Sequence, residues 1–427
     1  MARVVLVGAG SSVFGYSMVL DAVNIPGLRG CDLVLHDVDG ARLAAMAELA
    51  VRMNEAAGAG LEVESTTDRH EALRGADYAV VSIAVERMRR WRMDWEIPFR
   101  HGVKQVIGEN GGPGGLFHTL RNVPPVLEVA RDMEELCPGA WLLNYTDPVP
   151  RICLAVNRHT DVRVVGLCRG VERQLARLAP MMGVPSALIE AVSAGLNHLS
   201  WFKELRLRDG SDAYPRLTEA VAGARGFQPL CRAMYDKFGL YPSTDDNHLG
   251  EYLAYAWDAC PPESKGLSWI ERCEREAQEC WARIGRLGRG EEPLDVAGRL
   301  SGERAMHMIA GMETGGGRLE LQANLPNEGQ VGNLMRGAIV ETPAIVDRHG
   351  VKPIPVGELP QGLAAICNIQ IMVGTLAMEA GVRGDTSLAR QALLADPVVS
   401  DTAATENVFR ELMEAHKDLL PQFSEKQ

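Results

Sequence analysis

Short apolar runs alternate with segments of helical spacing over roughly the first 190 residues. Arg3 to Val7 is an apolar run broken by Gly8-Ala9-Gly10-Ser11-Ser12, and Val13 to Val23 then sets Phe14, Met18, Val19 and Ala22 on related helix faces. Asp32 to Asp37 is a second run closed by an acid, Arg42 to Ala56 has helical spacing, and Tyr78 to Ile83 is a third run. Further on, Pro124 to Leu136 predicts a helix, Ala140 to Tyr145 a strand, Pro150 to Arg158 a helix and Val162 to Leu167 a strand. Strands that alternate with helices predict an α/β fold with a parallel sheet and helical crossovers.

The alternation fades near Ile189. Ala191 to Leu207 predicts a long strand or hairpin, residues 215–315 are mostly helical in pattern, and residues 320–360 read as loops and short strands. Pro360 to Ala380 predicts a long apolar helix, and Asp385 to Lys417 adds more helix. The expected organisation is a doubly wound domain over residues 1–190 and a mainly helical α+β domain over residues 191–427, which carries metal, substrate and oligomer contacts.

Charge narrows the partners. Lys plus Arg is 44 against 56 for Asp plus Glu, a net charge of −12, which weighs against nucleic acid or an anionic membrane. No apolar run is expected to reach the roughly 20 residues that span a bilayer. Nine cysteines without a CxxC pair fit a reduced, cytoplasmic protein rather than a disulfide framework.

The candidate chemistry sits where predicted strands end. Gly8 and Gly10, with Ser11, Ser12 and Phe14 opening the helix, form a turn whose small residues let a pyrophosphate approach free N–H groups. Asp37 is placed to accept hydrogen bonds from a ribose diol, which leans towards NAD over NADP. The third glycine of a GxGxxG motif is missing, since Val13 occupies it. Gly108 to Phe117 holds a second glycine cluster and is expected to be a loop lining the site. Taken alone, Cys168 and His198 read as ordinary packed residues.

Together these stretches resemble glycoside hydrolase family 4, the NAD- and divalent-metal-dependent glycosidases. The resemblance runs through GAGSSVFG, GENGGPGGLFHTLRNVP, NYTDP, GLCRG, AGLNHLSWF, YPSTDDNHLGEY, NLPN and VKPIPVGELP. It implies a Rossmann-type sheet related to lactate and malate dehydrogenases, NAD on the glycine turn with Asn144 nearby, and Mn²⁺ or another divalent metal on Cys168 and His198. It implies α-glycoside hydrolysis by oxidation at sugar C3, loss of the C2 proton, elimination at C1, addition of water and return of the hydride. Asp246 is the expected base, preferred to Asp245, with Tyr241 as the alternative; Glu251 and Tyr252 are expected to be structural. Asn110, Asn197, Asp147 and Arg169 are the expected substrate contacts, and a homodimer or homotetramer is implied.

Two residues depart from the family pattern. Arg169 follows the metal-binding cysteine, where His or Asp is common, and an arginine stays protonated and cannot act as the acid. Asp147-Pro148 stands where Asn-Pro is common. Either Arg169 meets a substrate carboxylate while Asp147 acts as acid or accepts a sugar hydroxyl, or the two form an ion pair. The substrate expected is an unphosphorylated α-glycoside, uronides included. Arg87, Arg89, Arg90 and Arg92 offer further charge to an acid sugar, but at least three of them are expected to be a solvated helix face. An NAD-dependent hydroxy-acid or sugar dehydrogenase and a non-catalytic NAD- or sugar-binding protein stay open as alternatives.

Overall fold

A computed structural model describes residues 2–224 and 226–424 of the chain. Among these residues eleven strands form one sheet. β1 (Arg3–Val7), β2 (Asp32–His36), β3 (Glu62–Thr66), β4 (Tyr78–Val81), β5 (Trp141–Asn144) and β6 (Arg163–Gly166) run parallel in the order 3-2-1-4-5-6, that of a Rossmann-type dinucleotide fold. Val4, Val5, Leu33, Val34, Ala79, Val81, Leu142 and Leu143 are buried with helices on both faces, which explains the continuous rather than alternating apolar runs. Each such Val or Leu stabilises the fold by about 1.5–3 kcal/mol through loss of contact with water.

The sheet does not stop at the expected boundary near residue 190. β7 (Ile189–Leu196) and β8 (Leu199–Leu207) form a hairpin, and β9 (Arg318–Pro326) pairs antiparallel with β10 (Ile339–Asp347). β9 meets β6 through Gly166 and Asn324, β10 meets β7 through Glu341 and Gly195, and β11 (Gly350–Pro353) pairs with β10. The second half is thus helical but joined to the first by backbone pairing. This fixes the tip of the β7–β8 hairpin beside the carboxyl end of β6.

Two helices differ from expectation. The helix expected from Pro124 begins at Gly112, so most of the second glycine cluster is helix rather than loop. Gly114 and Gly115 allow the close approach: a Cβ there would lie 2.3 Å from the Gly108 carbonyl oxygen and the Asn110 carbonyl carbon respectively. Helix Gln361–Arg383 is long and apolar enough to cross a bilayer, contrary to expectation. Here it is a core helix: Leu363, Cys367, Gly374, Ala377, Met378 and Gly381 are buried, packed on helices Gly112–Leu136 and Val149–His159.

Candidate active site

The glycine turn is built as expected, with one addition. Gly8 has φ +90°, and a Cβ there would lie 2.5 Å from the Ser82 carbonyl oxygen. Gly10 N donates to Asp37 Oδ2 at 2.8 Å, and Asp37 Oδ1 accepts from Asp39 N at 2.9 Å. Ser11 Oγ accepts from Phe14 N at 3.1 Å, tying the turn to the first residue of helix Phe14–Asn24. Gly15 does the work of the missing third glycine, since a Cβ on it would lie 2.1 Å from the Ala9 carbonyl oxygen. Asn144, at the end of β5, is buried and holds the following turn through both Thr146 N and Thr146 O. Ser12 is buried behind the turn, and the Phe14 ring lies 4.7 Å from that of Tyr145.

A second group of side chains converges beyond β6. His198 is the second residue of the two-residue β7–β8 turn and has φ +63°, a conformation that favours glycine. An imidazole held there against preference marks a functional constraint. His198 Nε2 lies 3.3 Å from Cys168 Sγ. The His198 and His248 rings are 4.1 Å apart, and ligand atoms of His198, His248 and Glu251 lie within 4.8 Å of one another. Asn110 Nδ2 stands 3.3 Å from His198 Nδ1, while the Glu251 carboxylate accepts from Glu109 N and Asn110 N at 2.6 Å each. Asn110 Oδ1, Asp147 Oδ1, Asn197 Oδ1 and Asp245 Oδ1 are buried without a hydrogen-bond partner among the described residues. Two imidazoles and a carboxylate lie within mutual reach and the Cys168 thiol meets one of the imidazoles, a donor set that fits a divalent cation with hydroxyl-bearing co-ligands.

The site's charges are strongly coupled. Burial, then the charge of His248, pushes His198 down to about 3. Burial opposes the charge on His248, but Glu251 and Asp245 prevail and raise it to about 9. Burial raises the Cys168 thiol to about 12, with Glu341 adding to it. Burial and the neighbouring Glu109 lift Asp147 above the usual carboxylate range, against the pull of Arg87 and His248. Glu109 moves the other way: burial opposes its charge, yet Arg87, 2.7 Å away, keeps it ionised.

A strand order of dinucleotide type, a glycine turn at the end of β1 and this cluster beyond β6 are matched by one family along almost the whole chain. The model of the family 4 glycosyl hydrolases matches residues 3–184, and that of the family's C-terminal domain matches residues 193–399. The chain belongs to family 4 of the glycosyl hydrolases. An α-glucosidase of Erwinia rhapontici is 32% identical, with 93% of this chain and 94% of that protein covered. An α-galactosidase of Bacillus subtilis is 30% identical, over 99% and 100% of the two chains. Among solved structures, a 6-phospho-α-glucosidase from gut microorganisms, in complex with NAD and Mn²⁺, superposes with TM-score 0.84 at 22% identity, covering 98% of each chain. Malate dehydrogenase of Plasmodium falciparum superposes with TM-score 0.52 at 13% identity, covering 91% of this chain and 100% of its own, so the dehydrogenase fold is shared.

Within this family 4 chain the expected residues fall into two groups. Cys168, His198, Asn110 and Asn197 come together, and the neighbouring Asp147 couples electrostatically to His248 and Glu251. Asp246 does not join them. Its oxygens accept from Cys231 N at 2.9 Å and Leu230 N at 3.2 Å, so it caps helix Pro229–Phe238. Tyr241 is fully buried, with its hydroxyl on Gln228 Oε1 at 3.0 Å. Arg169 does not pair with Asp147. Its Nη1 donates to Ser301 O at 2.9 Å and lies 3.4 Å from Glu303, and the loop wraps it so closely that a Cβ on Gly302 would meet the guanidinium. Of the arginines in helix Arg87–Arg100, Arg87 reaches Glu109, Arg90 is buried on Glu86 and Asp418, and Arg92 meets Glu274. His248, which the motif reading does not single out, and Glu251, expected to be structural, stand in the same cluster as His198; their i,i+3 spacing after an aspartate pair is the available signal.

Proposed function

We propose that the protein hydrolyses unphosphorylated α-glycosides with NAD⁺ on the Gly8–Phe14 turn and manganese or a similar divalent cation on Cys168 and His198, with His248 and Glu251 completing the protein's donor set. When bound, NAD⁺ supplies a reversible hydride acceptor and the cation a Lewis acid for sugar oxygens. The approach of Cys168 to His198, across the strand end and the hairpin tip, carries this reading. The names of these relatives, α-glucosidase and α-galactosidase, support the sugar class.

The chain's own residues then have these tasks. Asp147, buried and lifted towards its neutral form, protonates the departing glycosidic oxygen, which replaces the acid that Arg169 cannot be. Asp245 takes the C2 proton as base. It forms an ion pair with Arg177, and its Oδ1 has no partner among the described residues. Asn110 and Asn197 offer amide oxygens to sugar hydroxyls. Glu251 positions the Glu109–Asn110 backbone, and Arg169 locks the Ser301–Glu303 loop.

Release of nitrophenol from a panel of aryl α- and β-glycosides tests the reading, under reducing conditions with NAD⁺ and Mn²⁺ each present and omitted. Release from α-glycosides that needs both is expected. Stoichiometric accumulation of NADH without release would instead show a dehydrogenase.

A further inference from the structure

Next to the His198 cluster lies a cavity. Asn110 and Asn197 line it on the side of His198, and Arg151 and Gln370 line it from helices Val149–His159 and Gln361–Arg383. The wall between is largely apolar, with Leu196 and Ile371.

Arg151 is the anomaly. It is only 6% exposed, yet among the described residues no carboxylate lies within ion-pair distance, and the charges of Asp396 and Glu251 reach it only at longer range. Its Nη1 donates to Gly115 O at 3.0 Å and Thr119 Oγ1 at 2.9 Å, while Nε and Nη2 make no hydrogen bond. A guanidinium cannot shed its proton, so a buried one without a counter-ion is strongly disfavoured unless a ligand supplies the charge. Gly374 leaves the space beside it open: a Cβ there would press on the Arg151 side chain at 3.3–3.4 Å. Three amide oxygens of the lining residues, Gln370 Oε1 on the Arg151 side and Asn110 Oδ1 and Asn197 Oδ1 on the His198 side, are buried and lack donors among the described residues.

One unpaired cation and three unpaired acceptors describe the complement of a monoanion that carries hydroxyl groups. We infer that this cavity receives the carboxylate of a uronic acid, with Arg151 as its counter-ion and the amide oxygens accepting from the sugar hydroxyls. A planar carboxylate matches the free edge of a guanidinium, whereas a phosphate near charge −2 calls for more than the one cation this cavity holds. The inference rests on the carbohydrate reading above and narrows it to α-uronides, with Arg151 rather than Arg169 as the recognising arginine.

Calorimetric titration of the NAD⁺- and Mn²⁺-loaded protein tests it, with D-galacturonate, D-glucuronate, D-galactose, D-glucose and glucose 6-phosphate as probes. At least one uronate is expected to bind about tenfold or more tighter than its neutral counterpart, as for a charge-assisted pair. Arg151→Met is expected to collapse that ratio towards one. Arg151→Lys keeps the charge and the reach to Gly115 and Thr119, and is expected to keep part of the ratio even where the methionine variant folds poorly. Equal binding of acid and neutral sugars, an unchanged ratio in folded Arg151→Met, or tighter binding of glucose 6-phosphate than of either uronate would overturn it. The titration needs no turnover, so a uronate preference in a protein that hydrolyses nothing would sink the glycosidase reading and leave the acid-sugar site standing.

Discussion

His198 Nε2 stands 3.3 Å from Cys168 Sγ, joining the tip of the β7–β8 hairpin to the carboxyl end of β6. The contact depends on the pairing of β6 with β9, β9 with β10 and β10 with β7, which carries the hairpin to the edge of the dinucleotide sheet. Replacing either residue by alanine removes a proposed metal donor without touching the glycine turn. Cys168→Ala and His198→Ala are each expected to weaken Mn²⁺ binding by about tenfold or more, read by electron paramagnetic resonance of free Mn²⁺, while NAD⁺ binding persists. Unchanged Mn²⁺ affinity in both variants would remove these residues from the metal site.

The two neighbouring aspartates separate stability from chemistry. Asp246 caps helix Pro229–Phe238, so Asp246→Ala is expected to cost about 1 kcal/mol in denaturant unfolding. Asp245→Asn is expected to lower kcat by about 10²–10⁴-fold with little loss of stability. The reverse pattern would restore Asp246 as base.

Gly15 tests the helix-to-turn packing. Gly15→Ala drives a methyl towards the Ala9 carbonyl oxygen and is expected to destabilise by about 1–3 kcal/mol and to weaken NAD⁺ binding. Gly223→Ala, where the added Cβ meets nothing within 4 Å, is the control and is expected to leave stability unharmed or to raise it by a few tenths of a kcal/mol. Equal melting temperatures for the two variants would deny Gly15 its role.

Acid sensitivity has a specific origin in His118. Burial, then the charge of Arg121, pushes this side chain down to about 4 from the ordinary histidine value, against the pull of Glu109 and Asp94. Below pH of about 6.5 the unfolded chain takes up a proton that the folded chain refuses until pH of about 4. Stability from this group is therefore present above the upper value, is lost as pH falls through the window, and then levels off. The loss amounts to about 3 kcal/mol at most. Urea unfolding at pH 7 and 4.5 is expected to show a smaller acid loss in His118→Gln than in the parent chain; equal losses would place the sensitivity elsewhere.

The sequence made local features legible and hid long-range ones. Strand, glycine turn and helix from Arg3 to Asn24 could be read because spacing and punctuation are local, and Cys168 and His198 stood out through motifs. Gly15 escaped because it lies two places beyond the usual third glycine, and it acts by contact with Ala9 rather than by motif position. The contacts of Asp246 with Leu230 and Cys231 are not legible in the sequence, because Asp245 is the extended residue before the short helix that Asp246 opens, and spacing alone does not reveal where two such neighbours point. The pairing of Arg169 with Glu303 spans a long chain separation, so composition near Arg169 gave no hint of it. Arg151 lies within the predicted helix from Pro150 to Arg158, and nothing in the local sequence marks that its guanidinium meets Gly115 and Thr119 rather than a carboxylate.

The proposed reaction cleaves the glycosidic bond by way of a proton removed at C2 of the sugar. Hydrolysis of an aryl α-uronide in D₂O, with NAD⁺ and Mn²⁺ supplied, tests it directly. The account predicts deuterium at C2 of the released sugar, with NAD⁺ undiminished at the end. A product that carries only hydrogen at C2 would contradict it.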